Sequence, residues 1–120
     1  MYKVHFAKRT SGRYLAKEFL DDLETKARDS WDTFMREFER FTEHGPDGLG
    51  SKQYKALQGQ GGIVEFTIWK YRILGFRVGN EVFLTNGFKK DQEETPPNEL
   101  QRAKDIRTEH QQRFAGGRKK

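Results

Sequence analysis

The hydrophobic periodicity of the chain changes near residue 63, and this change limits the folds that the chain can adopt. Between Tyr14 and Phe41, apolar residues recur at three- and four-residue spacing, which is typical of amphipathic helices. From Ile63 to Phe88, apolar residues alternate with polar ones, as in half-buried strands. The sequence therefore predicts an α+β domain, with helices packed on one face of a small antiparallel sheet.

The N-terminal half predicts one strand and a helical hairpin. Residues 2–6 alternate in polarity as a strand does. Two amphipathic helices follow, the second from about Thr25, and Gly45-Pro46 ends the second one. Two such helices joined by a few residues form a hairpin whose aromatic stripe we interpret as core.

The C-terminal half predicts strands joined by short turns and then a helix. The alternation changes phase at Ile68-Trp69, which requires a turn or a bulge there. Gly79-Asn80 predicts a hairpin turn. Thr95-Pro96-Pro97 predicts the start of the last helix, with Thr95 as its N-cap. The predicted element order is β-α-α-β-β-β-α.

The length and composition are those of one small domain. The chain has 120 residues, of which only 33% are hydrophobic, but ten Phe, four Tyr and two Trp add bulk to the core. We expect a single domain over residues 1–112 and a basic, disordered tail over residues 113–120. Apolar runs are far too short for a membrane span and no signal pattern opens the chain, so we expect a cytoplasmic protein without a membrane partner.

The chain contains no cysteine, which excludes disulfides, thiol catalysis and thiolate metal sites. The three histidines, His5, His44 and His110, have no spacing typical of metal ligands. We therefore expect a function that needs neither a metal nor another cofactor.

Positive charge is concentrated in the middle of the chain. The net charge is +5, and residues 51–90 carry seven basic and two acidic side chains. We expect six of these cations to converge on one face of the sheet, where they would suit a phosphate polymer: Lys55, Lys70, Arg72, Arg77, Lys89 and Lys90. The same charges also fit a solvated surface on which lysines protect exposed strands from aggregation.

Several segments resemble the HigB-like, phage-associated branch of the RelE/ParE toxin superfamily. The resemblance covers roughly residues 2–110 and is carried by an ordered set of motifs: residues 59–66, Tyr71-Arg72 in a strand, Gly87-Phe88-Lys89-Lys90, and Thr95-Pro96-Pro97 before a helix. It implies a type II toxin that cleaves mRNA on the translating ribosome without a metal, using the 2′-hydroxyl of the RNA as nucleophile. It also implies a cognate antitoxin, expected to be a small helix-turn-helix protein.

The resemblance assigns catalytic roles to four residues. Arg72 matches the strand arginine that grips the scissile phosphate. Lys90, with Lys89 beside it, matches the basic position that stabilises the transition state, where a lysine crowded by cations can also move protons near neutrality. Glu65 matches an acidic position of the family, and we interpret it as a partner of a nearby cation in preference to a general base.

Four further residues are candidates for binding the RNA around the cleaved bond. Lys55, Lys70 and Arg77 are assigned to the RNA backbone. Phe88 is a candidate for stacking on a base, although packing in the core is the alternative.

One departure from the family pattern leaves other functions open. The family often has an arginine two residues after the glutamate, where this chain has Thr67. The alternatives are a catalytically degenerate member that binds RNA or protein, and a toxin that poisons DNA gyrase.

Overall fold

The computed structural model describes residues 1–90 and 95–118, with side chains described as far as residue 112. It has five strands, three α-helices and one short 3₁₀ turn over Gly45–Gly48. The strands are β1 (Lys3–Phe6), β2 (Tyr54–Ala56), β3 (Ile63–Ile68), β4 (Tyr71–Val78) and β5 (Glu81–Lys89), and the helices are α1 (Leu15–Lys26), α2 (Arg28–His44) and α3 (Pro97–Arg118). The α+β prediction is confirmed.

All five strands form one sheet in the order β1-β5-β4-β3-β2. Strands β2 to β5 pair antiparallel with their neighbours, whereas β1 pairs parallel with β5, Lys3 lying opposite Glu81. The expectation of a purely antiparallel sheet is therefore wrong at this edge, because the helical hairpin carries the chain back across the sheet between β1 and the later strands. The short strand β2 was not predicted, since three residues are too few to show an alternation.

The helical hairpin packs on one face of the sheet. Phe34, Phe38 and Phe41 of α2 are buried against sheet residues such as Phe66, which confirms the interpretation of the aromatic stripe as core. Gly87 of β5 lies under the ring of Phe19 from α1, where an added Cβ would clash with the ring. Helix α1 therefore packs directly against the backbone of β5.

Helix α3 packs on the opposite face, with Ala103 and Ile106 buried against Ile63 and Leu74. The expectation that all helices share one face is wrong, because alternate residues of these central strands are apolar on both sides and each side needs a cover. Glu109 of α3 accepts hydrogen bonds from the Arg9 guanidinium, at 2.7 Å to Nη2, and from the backbone of Thr10. These bonds lower the pKa of Glu109 to about 2.

The phase change at Ile68-Trp69 is a two-residue turn formed by Trp69 and Lys70 between β3 and β4. Trp69 has a φ of 53°, which is unusual for a bulky residue. The turn predicted at Gly79-Asn80 is confirmed, and its Gly79 supplies the positive φ that such turns require.

The predicted boundary at residue 112 and the predicted disordered tail stay predictions, because the side chains of residues 113–118 and the whole of residues 119–120 lie outside the described residues. Among residues 1–90 and 95–118, none of the helices has the length and apolar character that a membrane crossing requires.

Candidate functional site

A cavity of about 320 Å³ opens on the α3 face of the sheet, beside the residues that lead into α3. It is lined by side chains from the loop before β2, from β2, β3 and β4, and from the residue after β5: Ser51, Lys52, Lys55, Glu65, Thr67, Arg72 and Lys90. Four of the eight predicted site residues therefore lie together here, namely Lys55, Glu65, Arg72 and Lys90.

The pairing of the strands explains why these residues meet. Lys55 of β2 lies opposite Glu65 of β3, and Thr67 of β3 lies opposite Arg72 of β4. Residues that are opposite each other in neighbouring strands project from the same face of a sheet. The part of the cavity formed by these four residues is consequently built on regular strands, which hold side chains more rigidly than loops do.

Glu65 lies at the centre of the cluster and is only 1% exposed. Its Oε1 lies 3.7 Å from the Lys55 ammonium and 3.8 Å from Nε of Arg72. The hydroxyl of Thr95 donates a 2.9 Å hydrogen bond to Oε2. The geometry agrees with the interpretation of Glu65 as a partner for cations, since its carboxylate bridges one from each neighbouring strand.

Arg72 is anchored by the turn that precedes it. Its Nη1 donates to the carbonyl oxygens of Trp69 at 2.6 Å and Tyr71 at 3.0 Å. The side chain is 15% exposed and borders the cavity. A guanidinium has five N–H donors, so these two bonds fix its position without using its whole capacity to bind an anion.

Lys90 borders the same cavity at the end of β5, and 7% of its surface is exposed. Its backbone N–H donates to the carbonyl of Lys70 at 2.6 Å. This bond ties the end of β5 to the β3–β4 turn, so the positions of Lys90 and Arg72 are set by the same turn.

The cavity carries four cations against one carboxylate, which makes it electropositive. Cations grouped around a concave surface bind oxyanions, and an arginine held in a fixed orientation adds directed donors to the charge. The arrangement can hold a phosphate and can stabilise extra negative charge that develops on it. Within the part of the chain that the structure describes, no group of three His, Asp or Glu residues has a metal-binding arrangement; that the function is metal-independent stays a prediction.

The structure does not bring Arg77 and Phe88 into the cavity. Arg77 lies opposite Val82, on the face covered by α1 and α2, where its guanidinium stands 5.7 Å from the ring of Tyr2 and donates to the carbonyl of Gly79. Phe88 is 7% exposed and packs in the core beneath α3. The expected convergence is therefore wrong for Arg77, and Phe88 follows the packing alternative.

Lys70 and Lys89 form a separate group around Trp69. Lys70 belongs to the turn between β3 and β4 and does not line the cavity, so the expected convergence is wrong for it as well. Lys89 lies opposite Tyr71, and both ammonium groups approach the Trp69 ring, at 5.2 Å for Lys70 and 5.8 Å for Lys89. Tyr71 packs on Phe19 of α1, so Lys89 lies on the face covered by the helical hairpin, and neither lysine lines the cavity.

Sequence reasoning missed three residues of the site. Ser51 and Lys52 lie in a Gly-rich connector that shows no motif. Only the spacing of Lys52 from Lys55 would have indicated that Lys52 belongs to the site. Thr95 was expected to cap α3, but its hydroxyl donates to Glu65, and the N–H groups of Glu99 and Leu100 instead bond to the carbonyl of Pro96.

The fold and the cavity define a class of small α+β domains in which a helical hairpin and a C-terminal helix sandwich a sheet that bears a cationic pocket. The model of the family of phage-derived Gp49-like proteins (DUF891) matches residues 18–108, so the chain belongs to this family. The family is known as a group of RelE/HigB-like toxins of toxin–antitoxin systems, which act with an antitoxin partner. No curated protein matches the chain.

Proposed function

We propose that the protein is a ribosome-dependent mRNA endonuclease of the HigB-like branch, the toxin of a type II toxin–antitoxin pair. The observation that carries the proposal is the cavity around the buried carboxylate of Glu65, which Lys55, Arg72 and Lys90 also line, in a chain of the Gp49-like family. The proposed substrate is a single RNA strand, because the cavity is open, electropositive and of the size that holds one nucleotide or less.

In the proposed reaction the 2′-oxygen of the RNA attacks the adjacent phosphorus and the bond from phosphorus to the 5′-oxygen breaks. The 2′-hydroxyl gives up its proton and the departing 5′-oxygen takes one up, so the products are a 2′,3′-cyclic phosphate and a 5′-hydroxyl. The phosphorus passes through a crowded state with additional negative charge on its oxygens. Arg72 and Lys90 stabilise that charge, and preorganised cations are effective because they need no reorganisation during the reaction.

Glu65 is a positioning residue in this proposal. Its carboxylate is buried and is surrounded by Lys55, Arg72 and the hydroxyl of Thr95. It therefore keeps two cations at one side of the cavity in spite of their mutual repulsion. Lys55, with 52% of its side chain exposed, is the cation of this pair that is open to a substrate phosphate.

Thr67 supports a second candidate function, an RNA-binding member of the fold that does not cleave. Thr67 lines the cavity directly opposite Arg72, at the position where the family often has an arginine. The loss of one guanidinium from this position removes a contact that would stabilise the transition state. RNA binding without cleavage would then depend on the remaining cations and would weaken with salt.

The test is the mapping of new 5′ ends on a reporter mRNA in a purified translation system. The variants are Arg72→Ala and the matched control Arg77→Ala, which removes the same residue type from the same strand but outside the cavity. We expect new ends within translated codons for the wild-type protein and for Arg77→Ala. We expect Arg72→Ala to lower the cleavage rate about 100-fold or more, the usual cost of removing one donor to a developing oxyanion.

Four outcomes would change the proposal. Intact mRNA at high protein concentration would favour the binding function, and a DNA-damage response in growing cells would favour a gyrase poison. Equal rates for Arg72→Ala and the wild type would remove Arg72 from the reaction. Cleavage of naked RNA at the same rate would contradict the dependence on the ribosome.

The proposal also includes where the protein acts and what silences it. An mRNA substrate on the ribosome requires a cytoplasmic protein. The antitoxin is proposed to be a small helix-turn-helix protein, and co-expression of such a protein should abolish mRNA cleavage.

A further inference from the structure

The turn between β3 and β4, whose Trp69 carbonyl contacts the cavity residue Arg72, presents a large aromatic surface to solvent. Trp69 is 66% exposed, although burial of a tryptophan ring is strongly favourable. Its φ of 53° lies in the left-handed region, where glycine or asparagine is the usual residue of such a turn. A bulky residue in a costly conformation, with its ring exposed, points to a role outside the core.

The indole of Trp69 is held in place and surrounded by positive charge. Tyr71 packs edge-on against it with 5.7 Å between ring centroids, and Tyr71 in turn rests on Phe19 of α1. The ammonium groups of Lys70 and Lys89 lie 5.2 Å and 5.8 Å from the ring centroid. An oriented aromatic ring with adjacent lysines is the combination that binds single-stranded nucleic acid, because the ring stacks on a base while the cations contact the phosphates.

The turn is linked to the cavity by two hydrogen bonds to its carbonyl oxygens, one from a side chain and one from a backbone N–H. The carbonyl of Trp69 accepts from Nη1 of Arg72, and the carbonyl of Lys70 accepts from the N–H of Lys90. Both of these cations line the cavity. The backbone that carries the ring is thus tied to two residues of the proposed phosphate seat.

We propose that Trp69 is a base-stacking platform for single-stranded RNA, which holds a base of the strand at the end of the sheet while a phosphate of the same strand binds in the cavity. Lys70 and Lys89 move from the ring to the flanking phosphates when the base stacks. This proposal rests on the proposed RNA substrate and adds a specificity-determining contact to it. A nucleic acid is favoured over a protein as the occupant because lysine is depleted in the cores of protein interfaces, whereas two lysines border this ring.

The test is binding of two short probes at low salt. One is a 2′-O-methyl hexanucleotide, which cannot react because it has no 2′-hydroxyl, and the other is an abasic oligonucleotide with the same number of phosphates. The chain contains two tryptophans, so all proteins carry Trp31→Phe, which leaves Trp69 as the one fluorophore of its kind. Trp31 lies on α2 beside Arg28 and takes no part in either site.

We expect the base-bearing probe to quench the Trp69 emission saturably and the abasic probe not to quench it. Measured with labelled probes, Trp69→Ala should weaken binding of the base-bearing probe about 10-fold or more and leave the abasic probe unchanged, while Trp69→Phe should retain most of the affinity. Equal binding of the two probes, no binding of the base-bearing probe, or an unchanged affinity in Trp69→Ala would each overturn the platform. The same holds if Trp69→Ala leaves RNA binding intact and weakens only the complex with the antitoxin.

The platform and the proposed nuclease function fail in different ways. Stacking on Trp69 without any mRNA cleavage would support the platform and contradict the nuclease. Cleavage that requires Arg72, together with unchanged probe binding in Trp69→Ala, would support the nuclease and overturn the platform.

Discussion

The two faces of the sheet each bury a carboxylate, but they surround it differently. On the face beneath α3, Oε2 of Glu65 accepts a hydrogen bond from the hydroxyl of Thr95, and Oε1, which has no hydrogen-bond partner among the described residues, has the cations of Lys55 and Arg72 at 3.7 Å and 3.8 Å. On the stripe of α2 that covers the other face, Glu37 is 2% exposed, and neither of its carboxylate oxygens has a hydrogen-bond partner among the described residues. The comparison separates a carboxylate that organises a site from a carboxyl group that only costs stability.

The arginines of β4 show the same contrast. Arg72 borders the cavity and is anchored by the β3–β4 turn. Arg77, five residues later, lies on the other face, where the Gly79 carbonyl and the Tyr2 ring engage it. Identical residue types on one strand therefore have a proposed catalytic role on one face and a packing role on the other.

The largest stability effect is expected from Glu65→Gln. The substitution keeps the shape of the side chain but removes the charge that balances two cations, and we expect a loss of about 2–3 kcal/mol of unfolding free energy. The measurement is urea unfolding. The midpoint urea concentrations of the variant and the wild type are compared, on condition that the free energy of unfolding depends on urea with the same slope in both. The proposed mRNA cleavage should fall as well, because Lys55 and Arg72 would move apart.

The matched control for Glu65→Gln is Glu81→Gln, which removes the carboxylate of a half-exposed pair with His5 at 2.6 Å. Pairs in contact with solvent contribute little, so we expect a change within about 0.5 kcal/mol. Similar losses in the two variants would contradict the view that the cluster around Glu65 is special.

Glu37→Met should have the opposite sign. Burial raises the pKa of Glu37 from 4.5 to about 8. The folded protein then holds a proton that the unfolded chain releases, so the wild-type stability falls as the pH rises from about 4.5 to about 8. Met has a similar size and no charge, and we expect it to stabilise the protein by about 1–3 kcal/mol at pH 7, mostly by removing a buried group without a partner.

The measurement for Glu37→Met is the urea midpoint across that pH range, with Glu39→Gln as the control on an exposed position of the same helix. The decline with pH should be smaller in Glu37→Met than in the wild type and in Glu39→Gln. An unchanged slope in Glu37→Met would mean that Glu37 ionises in the folded protein near its ordinary pKa.

Local patterns in the sequence predicted the features of the two faces that depend on residues close together in the chain. The aromatic stripe of α2 and the Gly79-Asn80 turn were predicted because each needs only a short stretch of chain. The grouping of Lys55, Glu65, Arg72 and Lys90 came from charge density and from the family resemblance, and the structure brings these four together.

The parts that depend on distant residues were not predicted. The parallel pairing of β1 with β5 and the position of α3 on the opposite face join segments that are far apart in sequence, and no local pattern specifies them. The position of Arg77 was available in principle, since an odd separation from Arg72 along one strand puts the two side chains on opposite faces. The expectation of convergence overlooked this alternation.

The turns at Trp69-Lys70 and Gly79-Asn80 provide the test with the smallest expected change in stability. They ask whether a feature of the sheet is kept for a site or for packing. Gly79 adopts its φ of 60° without a side chain, whereas Trp69 adopts a φ of 53° with the bulkiest one. Trp69→Asn should relieve that strain, because asparagine tolerates the left-handed region, and we expect a gain of about 0.5–1 kcal/mol in unfolding free energy. Gly79→Ala should cost about 1 kcal/mol, because alanine does not tolerate that region.

Urea midpoints of Trp69→Asn and Gly79→Ala measure both effects, and binding of the base-bearing probe to Trp69→Asn completes the argument. A more stable protein that binds the probe less well would mean that the strained turn is kept for its exposed ring and not for the fold. A loss of stability in Trp69→Asn would contradict this, since the contact of the ring with Tyr71 would then outweigh the strain of its backbone. In that case the turn between β3 and β4 would serve the packing of the fold, as Arg77 does on the other face of the sheet.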